Sequence, residues 1–240
     1  MSTRGPRFWL LWSWRDLRRR WPLILAIGLL LAGGVGLAAG LGSMGDWRVD
    51  SNDASFGALN VHDLRVEAEE GSFAPTGSLL KAAREIPDAD EISAASERLI
   101  VPTQISIMSK AGRSVVTPGQ VVGVETGPDR TVNGIEVTGP EVDSISVEAG
   151  EGLDGRSAGA VAMLDPSYAD ANDIALPAEA ELAGGGTVEI AGLGFSPETF
   201  VVQGPGGAFS AESEFSPVFT PLATAQALAG RPGRVNDLAV

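Results

Sequence analysis

The hydrophobic pattern is dominated by one uninterrupted run, Leu23 to Leu41 (LILAIGLLLAGGVGLAAGL), nineteen residues without a charge. As a helix rising about 1.5 Å per residue it is roughly 28 Å long, close to the ~30 Å of bilayer hydrocarbon. Ten of the nineteen are Leu, Ile or Val, which favour insertion by about 3 to 6 kcal/mol in sum. The five glycines return part of that. The pattern predicts a transmembrane helix over residues 23–42.

After the run the periodicity changes. Asp50 to Asn60 (DSNDASFGALN) is polar and reads as a short lead into a strand at Val61–Glu67. Ser78 as N-cap, with Leu79, Leu80, Ala83 and Ile86 on one face and Pro87 as stop, predicts a helix. Asp88 to Met108, rich in β-branched residues, predicts one or two strands broken at Pro102. Near the other end Phe215–Phe219 reads as a strand. Thr220 and Pro221 then open a helix with the stripe Leu222, Ala225 and Leu228; Gly230 and Pro232 close it, and Val235–Val240 reads as a strand.

Between these β-α-β ends, turn dipeptides such as Thr117-Pro118, Gly127-Pro128, Asn133-Gly134 and Gly139-Pro140 punctuate short Val- and Ile-rich runs. Asp165-Pro166-Ser167 opens a helical turn ending near Asn172, and Gly184–Gly186 leads into a strand at Thr187–Ala191. The fold class expected is therefore α+β: one N-terminal transmembrane helix, then a mixed α/β lobe built from two distant β-α-β units (residues 43–113 and 208–240), with a mainly-β lobe inserted at 114–207.

Charge gives the span a direction. The first 22 residues hold six Arg and one Asp, whereas the remaining 218 hold 11 basic and 30 acidic side chains. Arg18, Arg19 and Arg20 directly precede the apolar run, and the positive-inside bias places residues 1–22 in the cytoplasm and residues 43–240 outside. Trp21 and Trp47 flank the run as expected of interfacial anchors. The segment Phe8 to Trp21 (FWLLWSWRDLRRRW) mixes apolar and cationic residues and suits a helix lying in the cytoplasmic interface, against lipid headgroups. Pro22 falls at its bend into the span or in the first turn of the span. Gly28, Ala32, Gly36 and Gly40 recur every four residues and would let another helix approach closely.

A cleaved secretory signal is the rival reading of the same region. Against it stand the length of the apolar run, the Trp-rich leader and the lack of a clean A-x-A site.

The chain has no cysteine, so an exported domain of this size holds itself by apolar burial rather than disulfides. Its acidic outer portion lacks the clustered Lys and Arg that a nucleic-acid partner requires.

The candidate chemistry is sparse. Gly40, Gly42 and Gly45 form a literal G-x-G-x-x-G with Asp63 downstream, but the preceding run spans a membrane and the following DWRVDSNDAS is polar. These glycines read as a helix exit. His62, the single histidine, neighbours Asp63, yet one imidazole without cysteine is too little for an ordinary zinc site, and a structural or surface role is expected. No G-x-S-x-G elbow and no phosphate loop occur, and Asp165, Asp170 and Asp173 lack the calcium-loop spacing. No catalytic, cofactor or metal residue is expected, and the chain is not read as an enzyme.

Four segments carry a resemblance: SWRDLRRRWPLILAIGLLLAGGVGLAAGLGSM (Ser13–Met44), SNDASFGALNVHDLRV (Ser51–Val66), VAMLDPSYADANDI (Val161–Ile174) and PLATAQALAGRPGRVNDLAV (Pro221–Val240). In order and spacing the chain resembles the N-terminal part of FtsX-like ABC transporter permeases with a MacB-like periplasmic core domain. The resemblance implies an extracytoplasmic core domain over 43–240 and a separate cytoplasmic ABC ATPase as partner. It also implies membrane lipid around the span, a second permease copy as neighbour, and further spans beyond Val240. A freestanding single-pass binding or adaptor module is the alternative.

Overall fold

The computed structural model describes residues 5–154, 161–199 and 213–240. They fall into two compact units, Met1–Asp53 and Ala54–Val240.

The first unit contains α1 (Gly5–Arg19) and most of α2 (Trp21–Leu59). Within α2, Trp21–Ser43 has a mean hydropathy of 2.3, is long and apolar enough to cross a membrane, and is exposed along its whole length. Pro22 sits in its first turn, where a missing N–H costs no helix bond.

Two expectations are corrected here. The glycines Gly40, Gly42 and Gly45 are not a helix exit, and Asp50–Asn60 is not an irregular lead: α2 runs through both. No proline interrupts the chain between Pro22 and Pro75, and an interior glycine costs only about 1 kcal/mol. The stop comes at Asn60, left-handed at φ 50°, where Val61 N–H bonds back to the Phe56 carbonyl at 3.2 Å. That is the six-to-one closure of a Schellman turn, with Asn in the place usually taken by Gly.

In the second unit the strands are β1 (Arg65–Glu67), β2 (Ala74–Pro75), β3 (Ser96–Met108), β4 (Ser114–Val124), β5 (Arg130–Val132), β6 (Ile135–Thr138), β7 (Ile145–Gly150), β8 (Val161–Leu164), β9 (Ala178–Leu182), β10 (Gly186–Phe195), β11 (Ser216–Pro221), β12 (Arg234–Val235) and β13 (Asp237–Ala239). Helices α3 (Ser78–Arg84), α4 (Pro166–Ala171) and α5 (Leu222–Leu228) pack around them. Six strands close on themselves in the order β3-β4-β11-β8-β10-β9, with β9 returning to β3 through Ile105↔Leu182 and Ile107↔Ala180. The result is a small barrel. Two of its contacts are parallel, β4 with β11 and β8 with β10.

Period-two alternation fills the barrel from every strand: Leu99, Ile105 and Ile107; Val121; Val218; Ala162 and Leu164; Val188 and Ile190; Ala180 and Leu182. Tyr168 of α4 and Ala225 of α5 join this core. The intervening residues Val122, Met163 and Phe219 face the other way and meet Ile145 and Leu153 in a second core. Strands β7, β6 and β5 extend the sheet from β10, and β13 and β1 extend it from β3.

The mixture of helix and strand is as expected, but its arrangement differs from an α/β lobe with a separate β insert. The barrel takes β3 from before Ser114, β4, β8, β9 and β10 from the segment after it, and β11 from the C-terminal stretch. Gly207 itself lies outside the described residues.

Several local readings shift by a residue or two. The strand expected at Val61–Glu67 is confined to β1, because Asn60 and His62 turn away to bond the loop at 141–143. Strand β3 is single and runs straight through Pro102. On that edge of β3, β13 pairs Ser96–Arg98 and β9 pairs Ile105–Ile107, so Pro102 sits where no ladder needs its missing N–H. Gly77, at φ 87°, is the N-cap of α3 in place of Ser78, and Pro221 rather than Thr220 is the N-cap of α5. Helix α4 forms as expected: Asp165 caps it by accepting the Tyr168 N–H at 3.1 Å.

Candidate functional site

The most concentrated charge in the second unit lies where β3, β13, the segment after α2 and two loops meet. Arg98 projects from β3 with its side chain 2% exposed. Its Nε donates to Asp237 Oδ1 at 2.6 Å, and its Nη1 to Asp143 Oδ2 at 3.0 Å and Glu198 Oε2 at 2.8 Å. Nη2 reaches Glu198 Oε1 at 3.1 Å, completing a forked pair. Asp237 also accepts from Arg65 Nε at 2.6 Å, and the Arg65 guanidinium lies 2.6 Å from Glu67 at the exposed rim.

Burying a guanidinium costs several kcal/mol unless its donors are matched. Burial is the largest influence on Arg98 and alone would favour loss of its charge. Glu198, Asp237 and Asp143 together outweigh it and hold the group above its ordinary pKa. The cross-strand pairing Asp237↔Arg98 fixes the geometry, since it sets these two residues side by side on neighbouring strands.

His62 completes the cluster, and its partner is Asp143 rather than the adjacent Asp63. Its backbone N–H donates to Asp143 Oδ1 at 3.1 Å, and Nδ1 lies 2.8 Å from Asp143 Oδ2. Ligand atoms of His62, Asp143 and Glu198 lie within 4.8 Å of one another, a spacing a metal ion could use. Both carboxylates are already bonded to Arg98, however, and Nδ1 is turned onto Asp143. A cation seated there would have to share both carboxylates with the buried guanidinium. The groups are engaged with one another and join β3, β13, the segment after α2 and the two loops.

An open cleft of about 490 Å³ beside β5–β7 is lined by Asp129, Arg130, Glu136, Glu151 and Asp154 among others. Four of its lining residues are acidic, and it carries no further donor set of metal-binding spacing among the described residues.

The residues expected to govern the membrane segment lie in the first unit. Arg18 and Arg19 form the last turn of α1, and Arg20 stands between the helices, 3.3 Å from Asp16. Trp21 opens α2 and is exposed. The Trp47 side chain lies outside the described residues, although the helix backbone passes through it. Gly28, Ala32, Gly36 and Gly40 share one face of α2, and a methyl group added at any of the three glycines would meet nothing within 4 Å.

Sequence reading missed the Arg98 cluster. Bonded members are separated by up to 172 positions, and the only local signal was an arginine within a β-branched strand, Ser96-Glu97-Arg98-Leu99-Ile100. Comparison of the chain with protein-family models and with curated proteins gives no match.

Proposed function

We propose that the chain is the N-terminal anchor and extracytoplasmic domain of an ABC transporter permease subunit, similar to FtsX-like permeases with a MacB-like core domain. In this reading a separate cytoplasmic ATPase supplies the energy, and the barrel unit performs mechanical work or assists export outside the membrane. The observation that carries it is the exposed apolar helix Trp21–Ser43, set between an arginine-rich leader and an acidic remainder. The positive-inside bias makes the leader cytoplasmic and the barrel external. The four sequence segments that resemble the permeases supply the family.

Because the protein has no cysteine, single introduced cysteines report topology cleanly. A membrane-impermeant maleimide added to intact cells should label Met108→Cys on the barrel and spare Ser13→Cys before the span. The permease reading further requires that the full chain, extracted in mild detergent, co-purifies with a nucleotide-binding subunit whose ATP hydrolysis follows it through a second column. Correct topology without such a subunit would favour the single-pass adaptor, which the one spanning helix among the described residues also fits. Labelling of Ser13→Cys alone would overturn both.

A further inference from the structure

The end of α2 is held in an unusual way. A helix leaves its last carbonyls without intrahelical partners, and at an exposed end water takes them. Here Leu59 and Asn60 give theirs to the backbone N–H groups of Ser144 and Asp143, both at 2.9 Å. The Asn60 side-chain amide donates to the Glu141 carbonyl at 3.0 Å, and Ala58 and Leu59 are buried. The last turn of the helix is thus docked on a loop some eighty residues away, by hydrogen bonds donated from both segments.

Asp143 makes that loop more than a passive seat. It is left-handed at φ 56°, a conformation a non-glycine residue adopts at some cost, and its side chain is 1% exposed. That geometry sends its N–H to Asn60 and its carboxylate to both His62 and Arg98. Arg98 in turn is bound to Asp237 on β13 and to Glu198. One residue therefore ties the chain leaving α2 to the buried charge that joins β3 and β13.

The two layers differ in accessibility. Asn60 is exposed and the His62 side chain is 18% exposed, whereas Arg98 and Asp237 are 2% exposed within the sheet. Asp143, whose side chain is 1% exposed, and Leu59 lie buried between them. We propose that the Asp143 turn is a releasable joint: the segment Ala54–His62 has a docked and an undocked state, with Asp143 as the catch and Arg98 as its anchor in the barrel. In a protein that works mechanically, such a joint sets whether displacement of that segment reaches β3 and β13. The functional consequence rests on the reading above, whereas the joint itself does not.

The test is hydrogen exchange on the full chain in detergent, comparing the wild type with Asp143→Asn and His62→Ala. Asn tolerates the left-handed conformation and keeps the turn, but removes the charge shared by His62 and Arg98. Exchange in peptides covering 58–62 and 141–144 should rise roughly tenfold in Asp143→Asn, the scale of one lost charge-assisted hydrogen bond, while peptides within β4 and β11 stay as protected as in the wild type. His62→Ala, at a less buried position outside the barrel strands, should raise the same two peptides to a smaller degree. Exchange that rises equally in β4 and β11 would make these residues ordinary parts of the folding core, and unchanged exchange at 58–62 in both variants would show that Asp143 is no catch; either result overturns the proposal. Neither depends on topology or on an ATPase, so failure of the permease reading would be seen separately.

Discussion

Glu97, fully buried on β3, accepts the backbone N–H of Leu79 at 2.8 Å, so a strand side chain caps a helix that has no side-chain cap of its own. The same carboxylate takes the N–H groups of Gly77 at 2.5 Å and Leu80 at 3.0 Å. Helix α3 has only seven residues, too few to persist alone in water. Replacing Glu97 by Ala leaves three donors unpaired and should cost about 2–4 kcal/mol, with loss of exchange protection concentrated in Leu79–Ala82. Glu97→Gln retains a carbonyl acceptor and should lose less. Equal losses in the two variants would mean that the cap contributes nothing beyond filling space.

The Arg98 cluster has an asymmetric energetic signature. Its carboxylates were desolvated in exchange for a matched guanidinium, so removing the cation strands buried negative charge. Arg98→Ala should destabilise the second unit by about 3–5 kcal/mol in urea unfolding, the range for breaking a buried ion pair from one side. Arg98→Lys keeps the charge but not the fork to Glu198, and should recover only part of that loss. Full recovery by Lys would show that charge alone, without directional bonding, holds β3 to β13.

Tyr168 is the single tyrosine of the chain and is buried in the barrel core. Burial pushes its phenol above the ordinary value of 10.0, only partly opposed by the 2.7 Å hydrogen bond with Thr117. A raised folded-state pKa gives stability that is complete below the unfolded value and is lost as pH climbs toward the folded one. The protein should therefore lose thermal stability above about pH 10, and tyrosinate absorbance in the folded protein should appear at higher pH than for a free phenol. Tyr168→Phe should start lower by about 1–2 kcal/mol, because the Thr117 hydroxyl loses its partner, but should escape this part of the alkaline decline. Reversible ionisation of Tyr168 in the folded protein near pH 10 would refute the assignment.

The arginines before the span make a prediction of their own. Replacing Arg18, Arg19 and Arg20 by Glu removes three of the six arginines on that side of the apolar helix and reverses its net side-chain charge. Orientation follows the Lys and Arg bias near a span, so if the proposed N-inside orientation holds, a substantial fraction of the chains should invert and expose Ser13→Cys to impermeant maleimide. An unchanged labelling pattern would assign orientation to translocation of the large acidic domain instead.

How much of this was readable beforehand depends on distance along the chain. The apolar helix, α4 with its Asp165 cap, the α5 stripe of Leu222, Ala225 and Leu228, and the Asn133-Gly134 hairpin between β5 and β6 were all legible. Each is specified by residues within a turn or two of one another. Pro102 misled because its effect depends on whether the neighbouring edge is paired, and the gap between β13 and β9 is created by strands from elsewhere.

The sequence by itself determined a helix long and apolar enough to cross a membrane, its charge asymmetry and the identity of most local elements, because apolar periodicity, caps and turn residues act over a few positions. Only the tertiary structure decided that six strands from three stretches of chain close into a barrel, that α2 extends to Leu59, and that Arg98 gathers Asp143, Glu198 and Asp237. Those outcomes rest on ladders and ion pairs between residues as much as 139 positions apart. Register and burial, which no short window of sequence contains, select those partners over every other arginine and carboxylate in the chain.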